Sequence, residues 1–364
     1  MIKPSLFSKL FPPPQYLEMP VAGLDISDQS VKCAQVVFER GEIVVRKIGE
    51  RAVPAGVIEA GQVKDRPELE NALRLLKEEF ELESVAVSLP EEQAYIVRIR
   101  LPRMRPNEIR SSIELQLEEY IPMPLEEAVF DYELMSDNGP QGCDVAVSVL
   151  PRATVAAYTD AIRGAGLVPL AMEIEAQALA RSLIPWGDKS TSMIIDIGKT
   201  RTGFSVVSQG KVAYTSTLNN IGGEDLTKSI QKNLGISYQE AERLKIEKGL
   251  TRAKSQQELF FALVPALAAL RDEILKVYTY WNAHKEDSGI TKRKIEAVVL
   301  CGGQSSLPGL VPYLSSGLPV PVEIGNPWTN ILSVNDRVPP LDQGQTMRYS
   351  TALGLSLRNL KRVV

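Results

Sequence analysis

Residues 192–203, Ser-Met-Ile-Ile-Asp-Ile-Gly-Lys-Thr-Arg-Thr-Gly, read as a buried strand that ends in an acid. The apolar run Met193, Ile194, Ile195 delivers Asp196, and Ile197 and Gly198 lead into a turn of small polar residues before a second strand leaves through 204–207. A carboxylate in that place can hold the water shell of a bound Mg²⁺. Gly198, lacking a side chain, lets backbone N–H groups approach an anion closely. A single such pattern also ends many ordinary strands. This chain contains it twice.

The earlier copy is 21–32, Val-Ala-Gly-Leu-Asp-Ile-Ser-Asp-Gln-Ser-Val-Lys. With Asp25 set on Asp196, the features that follow keep the same order in both copies. Each has an isoleucine, a small residue (Ser27 or Gly198), a polar turn and a strand (33–38 or 204–207). A glycine turn (Gly41 or Gly210), a further strand (43–48 or 212–217) and a helix (67–80 or 224–234) complete each copy. The pattern predicts a duplicated β-hairpin unit whose two acidic turns face each other across a cleft.

Composition narrows the function classes. A length of 364 residues suits two domains, and 44% hydrophobic with 24% charged residues is ordinary for a soluble globular protein. A net charge of −4 and a pI near 5.5 argue against a nucleic-acid surface. The three cysteines, Cys33, Cys143 and Cys301, are too scattered for a disulfide framework or a Cys-type metal site, which fits a reducing cytosol. His284 is the sole histidine and reads as a solvated surface residue, so histidine triads and His-rich zinc sites are excluded. The best apolar run, 260–270, is too short to span a membrane and contains Pro265. Residues 1–20 combine Leu6, Phe7, Leu10 and Phe11 with Lys3, Lys9 and the prolines 12–14. They lack the core and cleavage site of a secretory signal and read as a loosely ordered leader, with contact to a membrane or partner as the alternative.

Between the two copies, 84–89 reads as a strand closed by Pro90-Glu-Glu-Gln93, and 94–101 alternates as strands do. Pro106 and Asn107 open a helix over 108–120 with Ile109, Ile113 and Leu117 on one face, broken by 121–124. Strands over 129–135 and 144–151 flank a turn at 137–140, and a helix follows over 153–165. The segment 85–169 is therefore expected to be an inserted small α/β subdomain, and 173–184 a helix linking it to the second copy. Further on, Gly222 and Gly223 open a helix whose N-terminus suits a polar ligand group. A charged helix over 237–248 precedes a long one with Leu259, Leu263, Leu267, Leu270, Ile274 and Val277 as its core stripe. A buried strand over 295–300 ends in a turn, 301–309, where Gly302 and Gly303 permit close approach of a planar or phosphate group. The small-residue helix 349–358 suits tight packing on another helix. There is neither a lysine-bearing P-loop nor a dinucleotide fingerprint.

Taken in order, these motifs resemble those of the actin-like ATPases. The first phosphate motif is matched by 23–32, the second by 196–202, the adenosine motif by 299–309 and the connecting helices by 173–180 and 352–357. Within that superfamily the chain is similar to the PilM family of type IV pilus assembly proteins. The stretches that carry this are the leader with Gly-Leu-Asp-Ile-Ser and Val-Lys, the run 119–127, Glu-Tyr-Ile-Pro-Met-Pro-Leu-Glu-Glu, the run 221–227 and the Glu-Ala-Glu-Arg-Leu-Lys of 240–245. The fold implied is α/β: an actin-like ATPase (ribonuclease H-like, duplicated) fold with an inserted FtsA-type small α/β subdomain. The implied division is a leader at 1–20, a first actin-like domain at 21–84 with 170–190 and 341–364, and the insertion at 85–169. The second actin-like domain would take 191–222 and 291–340, with a helical subdomain at 223–290.

The resemblance implies ATP and Mg²⁺ as ligands, the metal held through water by Asp25 and Asp196. Ser27, Ser30, Lys32, Gly198, Thr200 and Thr202 would surround the phosphates. Gly222, Gly223, Glu224 and Lys245 would lie toward ribose and base, and Gly302 and Gly303 under the adenine. Asp28 departs from the Ser or Thr of the family, and Lys199 with Arg201 makes the second loop unusually basic, so at most slow ATP hydrolysis is expected. No water-activating residue stands out. The implied role is a cytoplasmic protein at the inner face of the bacterial inner membrane. It would dock the N-terminal cytoplasmic tail of the inner-membrane protein PilN and link other parts of the pilus machine. The membrane would be reached only through that partner, nucleic acid is not expected, and self-association is left open. The alternatives are an FtsA-like division protein, which is expected to continue past the last connecting helix, and a sugar-kinase-type enzyme of the same fold.

Overall fold

Strand β1 (Val21–Ile26) is buried at all six residues, the pattern of a central strand covered on both faces. The computed structural model it belongs to describes residues 21–39, 42–137, 142–250, 257–283, 293–332 and 339–360. The leader, His284, the turn at 138–140 and the chain end at 361–364 lie outside the described residues. Antiparallel to β1 run β2 (Ser30–Glu39) and then β3 (Glu42–Ala52). A short hairpin of β4 (Ile58–Glu59) and β5 (Gln62–Val63) leads into helix α1 (Arg66–Phe80). Asp65 caps that helix by accepting from the Glu68 N–H, and Pro67 occupies its first turn. β6 (Ser84–Leu89) then pairs parallel to β1.

The chain next builds a separate three-stranded sheet, β7 (Tyr95–Leu101), β8 (Ala128–Asp137) and β9 (Cys143–Pro151), ordered β7-β9-β8. Helix α2 (Ile109–Leu117) covers it with Ile113 and Leu117, which join Ile99, Leu101, Phe130, Val145 and Val147 in a core of their own. After α3 (Arg152–Gly164), strand β10 (Val168–Ile174) returns to the first sheet parallel to β6, giving the order β10-β6-β1-β2-β3. Helix α4 (Glu175–Leu183) crosses to the second half.

The second half repeats the plan. β11 (Thr191–Ile197), β12 (Thr202–Ser208) and β13 (Lys211–Leu218) are followed by helices α5 (Gly223–Leu234), α6 (Tyr238–Lys248) and α7 (Gln257–Ala283). β14 (Ala297–Cys301), α8 (Leu310–Ser315) and β15 (Val322–Ile324) complete a sheet ordered β13-β12-β11-β14-β15. Position by position, both sheets pair with the same sense: antiparallel along the hairpins and parallel along the crossovers. This is the duplicated α/β fold expected from the repeated acidic turns.

Three expectations differ in their boundaries. Residues 84–89 and 168–174 belong to the first sheet, as the counterparts of β14 and β15, so the inserted elements run only over 95–151. The helix expected over 173–184 begins at Glu175, because Glu173 and Ile174 finish the strand that pairs with β6. The helix expected over 108–120 ends at Leu117, where Pro122 and Pro124 stop it from continuing.

Helices α9 (Gln343–Met347) and α10 (Ser350–Ser356) close the chain, and every residue of α10 is buried. Its small side chains let two backbones come close. A Cβ on Gly354 would lie 1.9 Å from the Ala178 carbonyl of α4, and one on Gly23 would lie 1.9 Å from the Ala352 carbonyl. Ser356 ties the same helix to β2 through the Val36 N–H at 2.7 Å. Gly354→Val is therefore expected to destabilise the protein by about 3 kcal/mol or more, because rigid backbone must move to admit it. Urea unfolding of the variant beside the parent protein measures this.

Candidate functional site

The strand ends β1 and β11 open onto one cleft of about 940 Å³, lined by Asp25, Asp196 and the turns that follow each. Asp25 is 8% exposed, accepts from Ser88 Oγ at 3.1 Å and pairs with Lys32 Nζ at 3.7 Å. Lys32 stands opposite Asp25 in the β1–β2 register, so the hairpin itself brings them together. The turn between these strands is closed by Ser27, whose N–H and Oγ both donate to the Ser30 carbonyl, at 3.0 and 2.9 Å. Asp28 also lines the cleft and accepts from the Gly61 N–H at 3.4 Å.

On the opposite side the Gly198 N–H donates to the Arg201 carbonyl at 2.9 Å, which makes the second turn tight. That turn is held from behind by α5: the Gly223 N–H donates to the Gly198 carbonyl at 3.0 Å, and the Glu224 N–H to the Lys199 carbonyl at 2.8 Å. Thr200 and Lys199 are left facing the cleft. The turn after β14 comes in from the side. Gly302 has φ of +82°, and a Cβ there would lie 2.2 Å from Asp196 Oδ1, so only glycine fits.

The electrostatics are dominated by acids. Burial first, and Asp25 second, push the Asp196 carboxyl up to about 6. Glu175 at the start of α4 is pushed up to about 8 by burial, against the pull of Arg201. Burial and then Glu175 hold Glu91 well above the usual carboxylate range, and its Oε1 has no hydrogen-bond partner. Arg201 answers these acids. It donates to Glu175 Oε1 at 2.6 Å and to Glu92 Oε1 at 3.0 Å, and although burial works against its charge, Glu175 and Glu92 more than offset that.

Of the residues singled out in the sequence, Asp25, Ser27, Ser30, Lys32, Asp196, Gly198, Thr200, Lys245, Gly302 and Gly303 line the cleft. Four others do not. Thr202 is fully buried and donates its hydroxyl to the Ile221 carbonyl. Gly222 packs against the backbone of Lys199 and Thr200. The amides of Gly223 and Glu224 are spent on the second turn, and the Glu224 carboxylate pairs with Lys228 at 2.9 Å. The N-terminus of α5 thus supports the loop instead of facing a ligand. Lys245 reaches the wall, yet its ammonium is consumed by the Gly223 carbonyl, Thr227 Oγ1 and Glu242 Oε2 at 2.8, 2.8 and 2.9 Å. Sequence patterns did not single out Glu91 or Glu175. The sign for Glu91 was available: 90–93 follows the strand next to β1, so its acids emerge at the same sheet end as Asp25.

The family model "Type IV pilus assembly protein PilM" matches residues 23–360. The chain belongs to the PilM family. A solved PilM–PilN type IV pilus biogenesis complex superposes with a TM-score of 0.76 at 23% identity, covering 96% of this chain and all of that one. MreB5 of Spiroplasma citri bound to AMPPNP gives 0.55 at 12% identity, covering 93% of this chain and 96% of that one. EutJ of Carboxydothermus hydrogenoformans also gives 0.55, at 17% identity, covering 94% and 91%. The fold is that of the actin-like ATPases. FtsA of Neisseria meningitidis serogroup B is 28% identical over 177 residues, 44% of this chain and 41% of that protein. FtsA of Enterococcus hirae is 29% identical over 213 residues, 51% and 47% respectively. The chain spans less than half the length of these curated relatives.

Asp196 gives the PilM-family cleft a measurable pH signature. A carboxyl raised on folding from 3.8 to about 6 contributes stability that is fully present below the lower value and is lost as pH rises through the upper one. Asp196→Asn removes that loss. The ligand-free variant should gain about 2 kcal/mol at pH 8 and almost nothing at pH 4. Thermal melts at the two pH values without divalent cations measure the difference.

Proposed function

We propose that this protein is a nucleotide-loaded docking platform of type IV pilus assembly, with Mg²⁺·ATP held in the cleft between the two halves. The observation that carries the reading is the pair of carboxylates, Asp25 and Asp196, at equivalent strand ends across one cleft. Mg²⁺ suits them because it keeps most of its waters and takes few protein ligands. Among the described residues no three His, Cys, Asp or Glu side chains are placed to hold an ion directly, which favours a hydrated ion anchored by phosphates. Ser27, Ser30, Lys32, Gly198 and Thr200 would meet those phosphates, and Gly302 with Gly303 would floor the base. Thr202, Gly222, Gly223 and Glu224 act behind the loop, and Lys245 stabilises the wall. Hydrolysis would be at most slow, in keeping with Asp28 in the first phosphate-type turn and Lys199 with Arg201 in the second.

Family membership supports a role in pilus assembly, and the similar PilM–PilN complex supports PilN as a partner, whose N-terminal tail would be the docked segment. The inserted sheet would receive it. β8 is an edge strand with Leu134 41% exposed, and α2 presents Leu115 at 86% exposure. An extended peptide adds to such an edge by backbone hydrogen bonds and sets alternate apolar side chains in pockets. Among the described residues no helix is long and apolar enough to cross a membrane, so attachment at the inner membrane's cytoplasmic face would come through that partner.

Isothermal titration separates the two halves of this reading. Asp25→Ala should weaken Mg²⁺·ATP binding at least tenfold, a loss of about 1.4 kcal/mol, while leaving the affinity for a labelled PilN tail peptide unchanged. Leu115→Asp should do the reverse. Equal ATP affinity in the parent and Asp25→Ala proteins would show that the cleft is misassigned.

A further inference from the structure

Arg201 belongs to the turn between β11 and β12, yet both acids it holds come from the other half of the molecule. Its side chain is 15% exposed, and those of Glu92 and Glu175 are 6% and 9% exposed, so the two ion pairs are shielded from water. Shielding makes such charge-assisted bonds strong and makes a lost partner costly. Glu175 starts α4, the helix that crosses between the halves. Glu92 lies in the short turn 91–93 that joins β6 of the first sheet to β7 of the inserted sheet. A single guanidinium therefore ties the second phosphate-type turn to the root of the insertion.

The surroundings of that root transmit its position. β7 continues from the turn and packs beside β13 of the second half, and Arg98 on β7 lies over the ring of Trp281 at 5.6 Å. Gln93 fixes the far side of the turn by donating to the Ala60 carbonyl at 2.9 Å. Of the two acids Glu92 is the more loosely held, at 3.0 Å against 2.6 Å, and its Oε2 has no hydrogen-bond partner among the described residues. Arg201 itself lines the cleft beside Thr200 and Lys199.

We infer that Arg201 is a positioning residue that couples occupancy of the cleft to the pose of the inserted sheet. An anionic group seated on the 198–201 turn competes with Glu92 for the guanidinium, while the shorter bond to Glu175 persists. Glu92 then becomes a buried carboxylate without a counter-charge, and the 91–93 turn must move to hydrate it. The displacement passes to β7, and from there to the sheet that offers its edge to a peptide. The two arrangements differ in which group holds the guanidinium, and the ligand biases them through that difference. This inference rests on the reading that the cleft binds nucleotide.

Hydrogen exchange on the full chain tests it, with and without Mg²⁺ and a non-hydrolysable ATP analogue, following peptides that cover 91–101. The parent protein should show faster exchange in 91–101 once the analogue is bound. Glu92→Ala should show fast exchange already without ligand and no further change on binding, with the analogue bound more tightly than by the parent protein because the competing acid is gone. Arg201→Lys, which keeps the charge but is shorter and loses the planar fork that spans the two acids, should give an intermediate response. A purely structural pin would alter melting without altering the ligand response. The coupling is overturned if the analogue binds and 91–101 do not respond, or if Glu92→Ala keeps the full response. Failure of the parent protein to bind the analogue at all would instead overturn the nucleotide reading, and the coupling with it.

Discussion

Two carboxylates face one cleft in this protein, and the halves are built so that they must. Asp25 and Asp196 end strands that occupy the same position in two sheets of the same strand order. Each is locked by its own hairpin register, and neither can retreat without breaking a central strand. Burial pushes the neighbouring Glu91 and Glu175 toward their neutral forms. Asp196 is raised by burial and by Asp25, so charging it in the free cleft is costly, and a bound cation would relieve that cost.

Holding two such halves at a fixed separation requires a spine that tolerates almost no slack. Helices α4 and α10 supply it by packing backbone against backbone at Gly354 and Gly23, where no side chain intervenes. Their buried faces, Ala176, Ala178 and Leu179 on one and Ala352, Leu353 and Leu355 on the other, merge the cores around the first sheet. Glu173, in the strand that leads into α4, binds Arg181 and Arg358, which joins the ends of both helices by charge as well.

Much of the fold was legible because duplication repeats a pattern, and a repeat is a stronger signal than any single motif. The acidic turns, the hairpins and the glycine turn at 302–303 all appear in the sequence as local features. What escaped were consequences of long-range pairing. The linking helix expected from residue 173 starts only at Glu175, because Val168–Ile174 pair with β6. Lys245 is expected toward ribose and base, but α6 lays it under α5, where three oxygens accept hydrogen bonds from it. Gly222 and Gly223 suggest an anion-binding helix end, and the loop they were expected to accompany occupies that end itself. Glu175 and Arg201 lie 26 residues apart, and nothing local to either announces their bond.

The central claim is that the carboxylates of Asp25 and Asp196 act together on one metal-bound nucleotide. A crystal grown with Mn²⁺ and a non-hydrolysable ATP analogue, measured for manganese anomalous scattering, tests it most directly. One anomalous peak is expected between the two carboxylates at water-bridged distance, with the triphosphate along the 27–30 and 198–201 turns and the base beside Gly302. Nucleotide bound elsewhere, or bound in the cleft with no metal between Asp25 and Asp196, would contradict it.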